Sequence, residues 1–499
     1  MTLIFDPEID PAELGGRRVT IVGFGKGRTG SGLARWLVDR GAKVTISDRK
    51  PAGELAEGIG RLREMGIADQ VELALGPSSD DMALADPHLV FVMPGIRPRS
   101  ATILRARERD IPIATELGLF FRLCPATIVG ITGTKGKSTT TTLIGRILQG
   151  AAGAEGAAGA DGGKRPVLVG GNIGRSVIEE LPTLTRDHIV VLELSSFQLE
   201  TLGRSPHVAV VTNVLEDHLD HHGTRDEYVA AKGNIVRWQR PRDTAVLNLD
   251  DATAMAMHEG VPSQLRTFSL ALRPRRGAYL DTRGRLVLTD GERETAVCEA
   301  SELRIPGRHN VANALAAAIV GDLLGVAADR IAGVLRSFEG LRHRLEPVGG
   351  SGGVLWVNDS QGTTPYATIP AIAAYARPVV VILGGVSKDA DFTALADVVV
   401  AKARAAILMG QAADDIATAI GAAKRRARAT GPEVVRARDL RDAVERARAV
   451  AKPGDVVLLS PAAATAAGRG AGLDEFSSYE ERGDRFRDLV RELAGGVTA

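Results

Sequence analysis

The segment Val129-Gly130-Ile131-Thr132-Gly133-Thr134-Lys135-Gly136-Lys137-Ser138-Thr139-Thr140 constrains this chain more than any other stretch. Residues 127–131 form an apolar run that predicts a short buried strand. Residues 140–148 predict a helix with Leu143, Ile144 and Ile147 on its apolar face. The glycine-punctuated turn between them can aim backbone N–H groups at phosphate oxygens, helped by the positive end of the following helix. Lys137 would reach the terminal phosphates, and the Ser138 hydroxyl suits Mg²⁺. Gly130 and Gly133 both precede Gly136, so the loop is shorter than the common P-loop form. Strand, turn, Lys-Ser and helix arrive in the order a nucleoside triphosphate site needs, which ranks that reading above an ordinary glycine-rich turn.

A chain of 499 residues exceeds one hydrophobic core, so two to four domains are expected. With 62 basic and 61 acidic residues, no global field favours nucleic acid or an anionic membrane. Two cysteines, Cys124 and Cys298, exclude a disulfide framework and fit a reducing cytosol. The first residues lack a basic stretch followed by a long apolar one, and no window approaches about 18 uninterrupted apolar residues. A cytoplasmic α/β enzyme is the expectation.

Residues 18–22 predict a strand, followed by Gly23-Phe24-Gly25-Lys26-Gly27-Arg28-Thr29-Gly30, a helix over 33–40, and a strand over 43–47 ending in Asp48. An acid about 20 residues beyond a glycine turn is close to the dinucleotide fingerprint. Alone it supports NAD, FAD or another nucleotide equally, and a ligand-free packing turn remains open. Strands at 89–93 and 113–115 extend a parallel sheet to about Pro125, with the turn Met93-Pro94-Gly95-Ile96 at a strand's carboxyl end.

Beyond the P-loop helix, residues 150–164 are rich in Ala and Gly and predict a mobile surface loop without a function. A strand at 167–169 leads into Gly170-Gly171-Asn172-Ile173-Gly174, and another at 189–192 delivers Glu193, well placed beside a P-loop to hold Mg²⁺ or else to cap a turn. Residues 208–213 then open onto Glu216-Asp217-His218-Leu219-Asp220-His221-His222. That cluster reads as a solvated loop, a zinc site or a magnesium-assisting site, and zinc is disfavoured because no Cys pair or second His pair follows at suitable spacing. Lys232 reads from its neighbours as a surface helix lysine. Asn310 and Asn313 open an Ala/Leu-rich helix, where amides can read a base or cap the helix. A third unit starts near His343. Its strands at 354–357, 379–383 and 456–459 predict an open, mostly parallel sheet, and Lys388 and Thr363 suit an acidic amino acid.

In order, the P-loop form Gly-Thr-Lys-Gly-Lys-Ser-Thr, Gly-Gly-Asn-Ile-Gly, Glu193-Leu194-Ser195-Ser196-Phe197-Gln198-Leu199-Glu200, Glu-Asp-His-Leu-Asp, Pro306-Gly307-Arg308-His309-Asn310 and His343-Arg344 resemble the motifs of the Mur ligase family. The resemblance covers almost the whole chain apart from two Gly/Ala-rich inserts. Phe-Gln-Leu-Glu and the ending through Asp474-Glu475-Phe476 to Tyr479-Glu480-Glu481-Arg482-Gly483 are similar to the glutamate-adding branch. It implies three α/β domains: a Rossmann-like domain at 1–125 for a UDP-linked substrate, a central P-loop ATPase domain at 126–341, and a Rossmann-like domain at 342–499 for glutamate. The implied activity is ATP-dependent addition of glutamate to UDP-N-acetylmuramoyl-L-alanine through an acyl phosphate, for peptidoglycan synthesis, by a monomer with no nucleic-acid partner and no membrane insertion.

The same resemblance implies residue roles. ATP would be held by Gly133, Thr134, Lys135, Gly136, Lys137, Ser138 and Thr139, with Asn313, Arg344 and Asp359. Gly25, Arg28, Thr29, Asp48 and Arg49 would form the UDP pocket, while Asn172 and His218 approach the muramoyl group. Thr363, Lys388 and Tyr479 would meet glutamate. Ser138, Glu193, His218 and an N-carboxylated Lys232 would hold Mg²⁺, in two ions; Lys137, His218 and Lys232 are the catalytic candidates. Where the family runs Asn-Asp-Ser-Lys-Ala-Thr-Asn, this chain has Asn358-Asp359-Ser360-Gln361-Gly362-Thr363-Thr364-Pro365, an ending similar to a branch that takes L-glutamate, and residues 466–472 lengthen a glutamate-side loop. D-glutamate leads and L-glutamate stays open. Other readings are a folate-polyglutamylating ligase, a nucleotide-binding protein without ligation, and an NAD-dependent oxidoreductase, which leaves the P-loop, Glu193 and Lys232 without a role.

Overall fold

The computed structural model describes residues 3–25, 28–152, 165–172, 176–386, 390–465 and 476–495. The insert at 150–164 and the loop at 466–472 therefore fall largely outside the described residues. The chain divides into two compact units, residues 1–303 with 308–337, and residues 304–307 with 338–499.

The first unit holds two sheets. Strands β1 (Arg18–Val22), β2 (Lys43–Asp48), β3 (Val71–Leu75), β4 (Leu89–Val92) and β5 (Ile113–Ala114) form an all-parallel sheet in the order β3-β2-β1-β4-β5. Within this sheet, strand β3, Val-Glu-Leu-Ala-Leu, is the member that the sequence reading did not single out. The second sheet comprises β6 (Thr127–Thr132), β7 (Val167–Gly171), β8 (Ile189–Glu193), β9 (Val208–Val211), β10 (Thr244–Asn248), β11 (Gln264–Ser269), β12 (Gly277–Leu280), β13 (Arg285–Thr289) and β14 (Glu294–Glu299). Its order is β14-β13-β12-β11-β10-β9-β6-β8-β7, parallel from β7 to β12 and antiparallel beyond. Strand β6 lies between β8 and β9, where the strand order reverses, and β8 and β9 are buried on both faces. Ligands of open α/β sheets sit at the carboxyl ends of such strands.

Glu116 sits where the helix Glu116–Leu123 of the first sheet meets the segment Val177–Thr183 of the second. Its Oε1 accepts from Ser176 Oγ at 2.7 Å and from the Ile178 N–H at 3.3 Å. Burial pushes this carboxyl up to about 7, against those two hydrogen bonds. The fold therefore prefers the protonated acid. That preference stabilises fully below the ordinary carboxyl range and is lost as pH rises through about 7, a swing of order 3 kcal/mol. Glu116→Gln keeps the accepting oxygen and cannot ionise. Thermal melts should show the variant gaining on the native chain between pH 5 and about 8; parallel pH profiles would refute the assignment.

In the second unit, β15 (Glu346–Ser351), β16 (Val354–Asn358), β17 (Val379–Gly384), β18 (Ala403–Met409), β19 (Glu433–Arg436) and β20 (Val456–Leu459) form one sheet in the order β15-β16-β20-β17-β18-β19. Only β15 runs antiparallel. Apolar residues of β17, β18 and β20 alternate between two cores, one under Ile416 and Ile420, the other under Trp356 and Phe486. No described helix is long and apolar enough to cross a membrane.

Candidate active site

The turn after β6 is built on glycine geometry. Gly133 has φ +144° and Gly136 φ +86°. A Cβ on Gly133 would lie 1.9 Å from Thr212 Oγ1, and one on Gly136 would lie 2.4 Å from Asn313 Oδ1. The loop is pinned from β9's end: Thr134 N–H donates to Asn213 O at 2.8 Å and Lys135 N–H to Asn213 Oδ1 at 2.9 Å. Thr212 Oγ1 and Asn213 Nδ2 both donate to Lys135 O, at 2.6 and 2.9 Å. Gly133→Ala is expected to lower stability by about 1–3 kcal/mol through backbone strain alone, with nucleotide affinity falling alongside. Calorimetry and nucleotide titration check both, and unchanged binding would show that the turn tolerates another shape.

The helix Lys137–Ala152 starts three residues earlier than periodicity indicated, because Lys137, Ser138 and Thr139 carry no apolar signal. Their N–H groups are first-turn donors with no intrahelical acceptor, suited to an anion. Lys137 Nζ donates to Gly133 O and Thr134 O, both at 3.0 Å. Lys232, read from its neighbours as a surface lysine, is 2% exposed on the helix Arg225–Arg237. Its Nζ donates to the same Gly133 carbonyl at 2.9 Å and lies 4.7 Å from the Tyr228 ring centroid. Burial first, then the Lys137 cation, hold the Lys232 ammonium well below the usual lysine range. Two lysine amino groups thus share one carbonyl at the mouth of the turn.

Glu193 ends β8 opposite Ile131 of β6. Asn172 Nδ2 donates to its Oε1 at 3.1 Å, and the Asn172 N–H to its backbone oxygen at 2.8 Å. Glu193 is 3% exposed, and its Oε2 has no hydrogen-bond partner among the described residues. An orphaned carboxylate oxygen beside a phosphate-type loop, with the Ser138 hydroxyl in the neighbouring first turn, fits a hard dication. His218 sits in the left-handed region at φ +55°, its side chain half-exposed and 4.9 Å from the Phe197 ring. Asn313 lies beneath Gly136, accepting from Thr140 Oγ1 and donating to Asn310 Oδ1, each at 3.2 Å.

In the first sheet, Asp48 Oδ2 accepts from the Phe24 and Gly25 N–H groups at 2.7 and 3.0 Å, and Oδ1 from Lys50 N–H at 3.0 Å. Asp48 therefore shapes the glycine turn. Arg49 pairs with Asp80 across the surface, and Thr29 is half-buried at the start of the helix Arg28–Val38. The turn at Met93 and Ile96 faces Phe197 and Gln198 across a cavity.

In the second unit, Asp359 is buried and accepts from Ser460 Oγ at 2.7 Å and Leu345 N–H at 3.1 Å. Burial pushes its carboxyl up to about 6, with those bonds and Arg344 working against the shift. Ser360 Oγ donates to Tyr479 O at 2.8 Å, and the buried Arg482 donates to Ser360 Oγ and O, both at 3.0 Å. Thr363 N–H donates to Gln361 O at 2.8 Å. This network holds the loop from Asn358 to Thr363 between two strand ends.

Comparison with known proteins decides the family. Residues 17–115 match the Mur ligase MurD-like N-terminal domain, 131–321 the Mur ligase middle domain and 343–463 the Mur ligase glutamate ligase domain. The UDP-N-acetylmuramoylalanine–D-glutamate ligases of Symbiobacterium thermophilum and Pelotomaculum thermopropionicum are each 41% identical, covering 96% of this chain and 98% and 99% of theirs. That of Koribacter versatilis is 37% identical over 96% of this chain and 98% of its own. The chain belongs to the Mur ligase family. Among solved structures, the UDP-N-acetylmuramate–alanine ligase of Thermotoga maritima shares the Mur ligase fold with a TM-score of 0.56 at 20% identity, over 96% of this chain and all of the other.

Within this Mur ligase, Lys137, Lys232 and Glu193 come together at the carboxyl ends of β6 and β8. Asn172 joins them through Glu193, and Asn313 through Gly136 and Thr140. His218 is carried by the adjoining loop. Arg344, Asp359, Thr363 and Tyr479 gather in the second unit. Lys388 and the Arg28 side chain lie outside the described residues. Sequence reasoning missed Thr212, Asn213, Tyr228 and Phe197. Thr212 and Asn213 were detectable as polar residues ending a strand that neighbours the P-loop strand, whereas Tyr228 and Phe197 carry no such signal.

Proposed function

We propose that this Mur ligase joins D-glutamate to the alanyl carboxylate of UDP-N-acetylmuramoyl-L-alanine, driven by ATP, in peptidoglycan precursor synthesis. The observation that carries the reading is the convergence of the glycine turn, Lys137, Lys232 and the orphaned Glu193 oxygen on one mouth of the central sheet. That relatives up to 41% identical are D-glutamate ligases supports D-glutamate over L-glutamate, and argues against folate polyglutamylation and the nicotinamide reading of the first glycine turn. Residues 1–125 take the UDP end, 126–341 take ATP and 342–499 take glutamate.

A carboxylate is a poor electrophile, so its oxygen first attacks the γ-phosphorus of ATP, ADP leaves, and an acyl phosphate forms. Lys137 leaves the Gly133 and Thr134 carbonyls for the phosphates by side-chain rotation and neutralises charge there. First-turn N–H groups from Lys137 to Thr139 orient the phosphate oxygens. Magnesium, in two ions held by Ser138, Glu193, His218 and an N-carboxylated Lys232, would supply the remaining charge neutralisation. Thr363 and Lys388 position glutamate, whose free amine attacks the acyl carbon and expels phosphate. No side-chain nucleophile is needed, so catalysis is positioning and electrostatics.

Phosphate release with ATP, Mg²⁺ and UDP-N-acetylmuramoyl-L-alanine tests this, with D-glutamate, L-glutamate or neither added and the product weighed. Release and product with D-glutamate alone are expected. Product with L-glutamate alone would reverse the stereochemical assignment, and no product with either would overturn the reading.

A further inference from the structure

The short helix Ser196–Leu199 follows Glu193 on one loop, and the helix Leu219–His222 follows His218 on another. Where these loops meet, Glu200, His221 and His222 converge. His221 Nε2 lies 3.0 Å from Glu200 Oε2, and His222 Nδ1 lies 3.8 Å from Glu200 Oε1. One ligand-capable atom from each residue lies within 4.8 Å of the other two. His222 is 4% exposed; its Nε2 is 3.0 Å from Ser196 Oγ, while its Nδ1 is buried with no hydrogen-bond partner among the described residues. A buried ring nitrogen left unmatched costs about 1–3 kcal/mol. The tautomer that donates Nε2–H to Ser196 leaves Nδ1 as a bare lone pair aimed at the carboxylate. A histidine fixed through one nitrogen to an oxygen and offering the other is the arrangement of a metal ligand. Phe197 packs over both rings, at 4.4 Å from His221 and 5.5 Å from His222, and limits solvent around them.

We infer that Glu200, His221 and His222 form a binding site for a divalent transition-metal ion of the zinc class, distinct from the magnesium site at Ser138 and Glu193. Two imidazoles and one carboxylate are a three-ligand zinc set that leaves a fourth position for water. Magnesium prefers oxygen donors in near-octahedral geometry, which Ser138, Glu193 and a carboxylated Lys232 supply in the main, whereas two imidazoles in a set of three favour a zinc-class ion. Bonds of about 2.0–2.1 Å place tetrahedral ligands about 3.3 Å apart, so these side chains close on an ion by shifts of about 1 Å. The sequence disfavoured zinc because no Cys pair or second His pair follows at suitable spacing; the third ligand, Glu200, instead precedes the histidine pair by a whole strand and is brought to it by the fold. A bound ion would tie the loop carrying Glu193 to the loop carrying His218. The site rests on its own geometry, independent of the ligase reading.

The test uses untagged full-length protein, stripped with a chelator and kept in excess Mg²⁺, titrated with Co²⁺ and followed by visible absorption. One equivalent should bind, giving the intense bands of a low-coordinate, nitrogen-ligated ion that Zn²⁺ then displaces. Glu200→Gln and His221→Asn should each weaken binding beyond the about 10–100-fold that loss of an outer-shell partner brings. Glu193→Gln should leave the bands unchanged. Thermal melts establish that each variant is folded, and either of the first two suffices if the other is not. An absence of saturable Co²⁺ signal, bands surviving Glu200→Gln or His221→Asn in folded protein, or bands lost in Glu193→Gln would each overturn the inference.

Discussion

Lys137→Ala is expected to lower the rate of phosphoryl transfer by about 10²–10³-fold or more, the loss seen when one preorganised donor is taken from a developing charge. The fold should survive. The turn is held by Asn213 and Thr212 through four other hydrogen bonds, and Lys137 adds two contacts to carbonyls of its own loop. Removing it also relieves the repulsion that helps hold the neighbouring Lys232 ammonium below its usual range. Single-turnover phosphate release separates chemistry from product release. Turnover retained in Lys137→Ala would sink the role proposed for it.

Lys232→Ala should bring a loss of similar size, about 10²–10³-fold, for a different reason. Burial favours the free amine at Lys232, and a free amine is what adds to CO₂, giving a carbamate and releasing a proton. The product carries hard anionic oxygens next to Gly133, where the ammonium would repel Mg²⁺. Carbon-13 spectra of protein in labelled bicarbonate should show a carbamate carbonyl that Lys232→Ala lacks. Lys232→Arg keeps a cation but cannot be carboxylated, so it should be as impaired as the alanine variant. Full turnover in Lys232→Arg would mean that the site uses a positive charge there.

The parts of this site legible in sequence are contiguous ones. Strand β6, its turn and the following helix occupy about 25 consecutive residues, and each signal is local. Glu193 was legible as an acid ending an apolar strand. Lys232 was not, because Tyr-Val-Ala-Ala-Lys is an ordinary helical run whose burial is decided by the loop packed on it from 99 residues away. Asp48 drew notice as an acid about 20 residues beyond a glycine turn, while its carboxylate oxygens accept from the N–H groups of Phe24, Gly25 and Lys50, a pairing no spacing rule reports. Strands β12 to β14 escaped because short antiparallel strands with irregular alternation resemble loops in composition.

Strand β6, the cradle of the turn, pairs with β8 and β9, never with its sequence neighbour β7. During synthesis the P-loop segment leaves the ribosome long before either partner exists, and Asn213, which pins the turn, follows last. The turn therefore lacks its anchoring hydrogen bonds from Thr212 and Asn213 on a nascent chain shorter than about residue 213, however complete the first sheet already is. An N-terminal fragment ending before β9 would carry the whole glycine signature and still lack those bonds. On the ATP role proposed for the turn, fragments ending before Asn213 are expected to bind nucleotide more weakly than the whole chain.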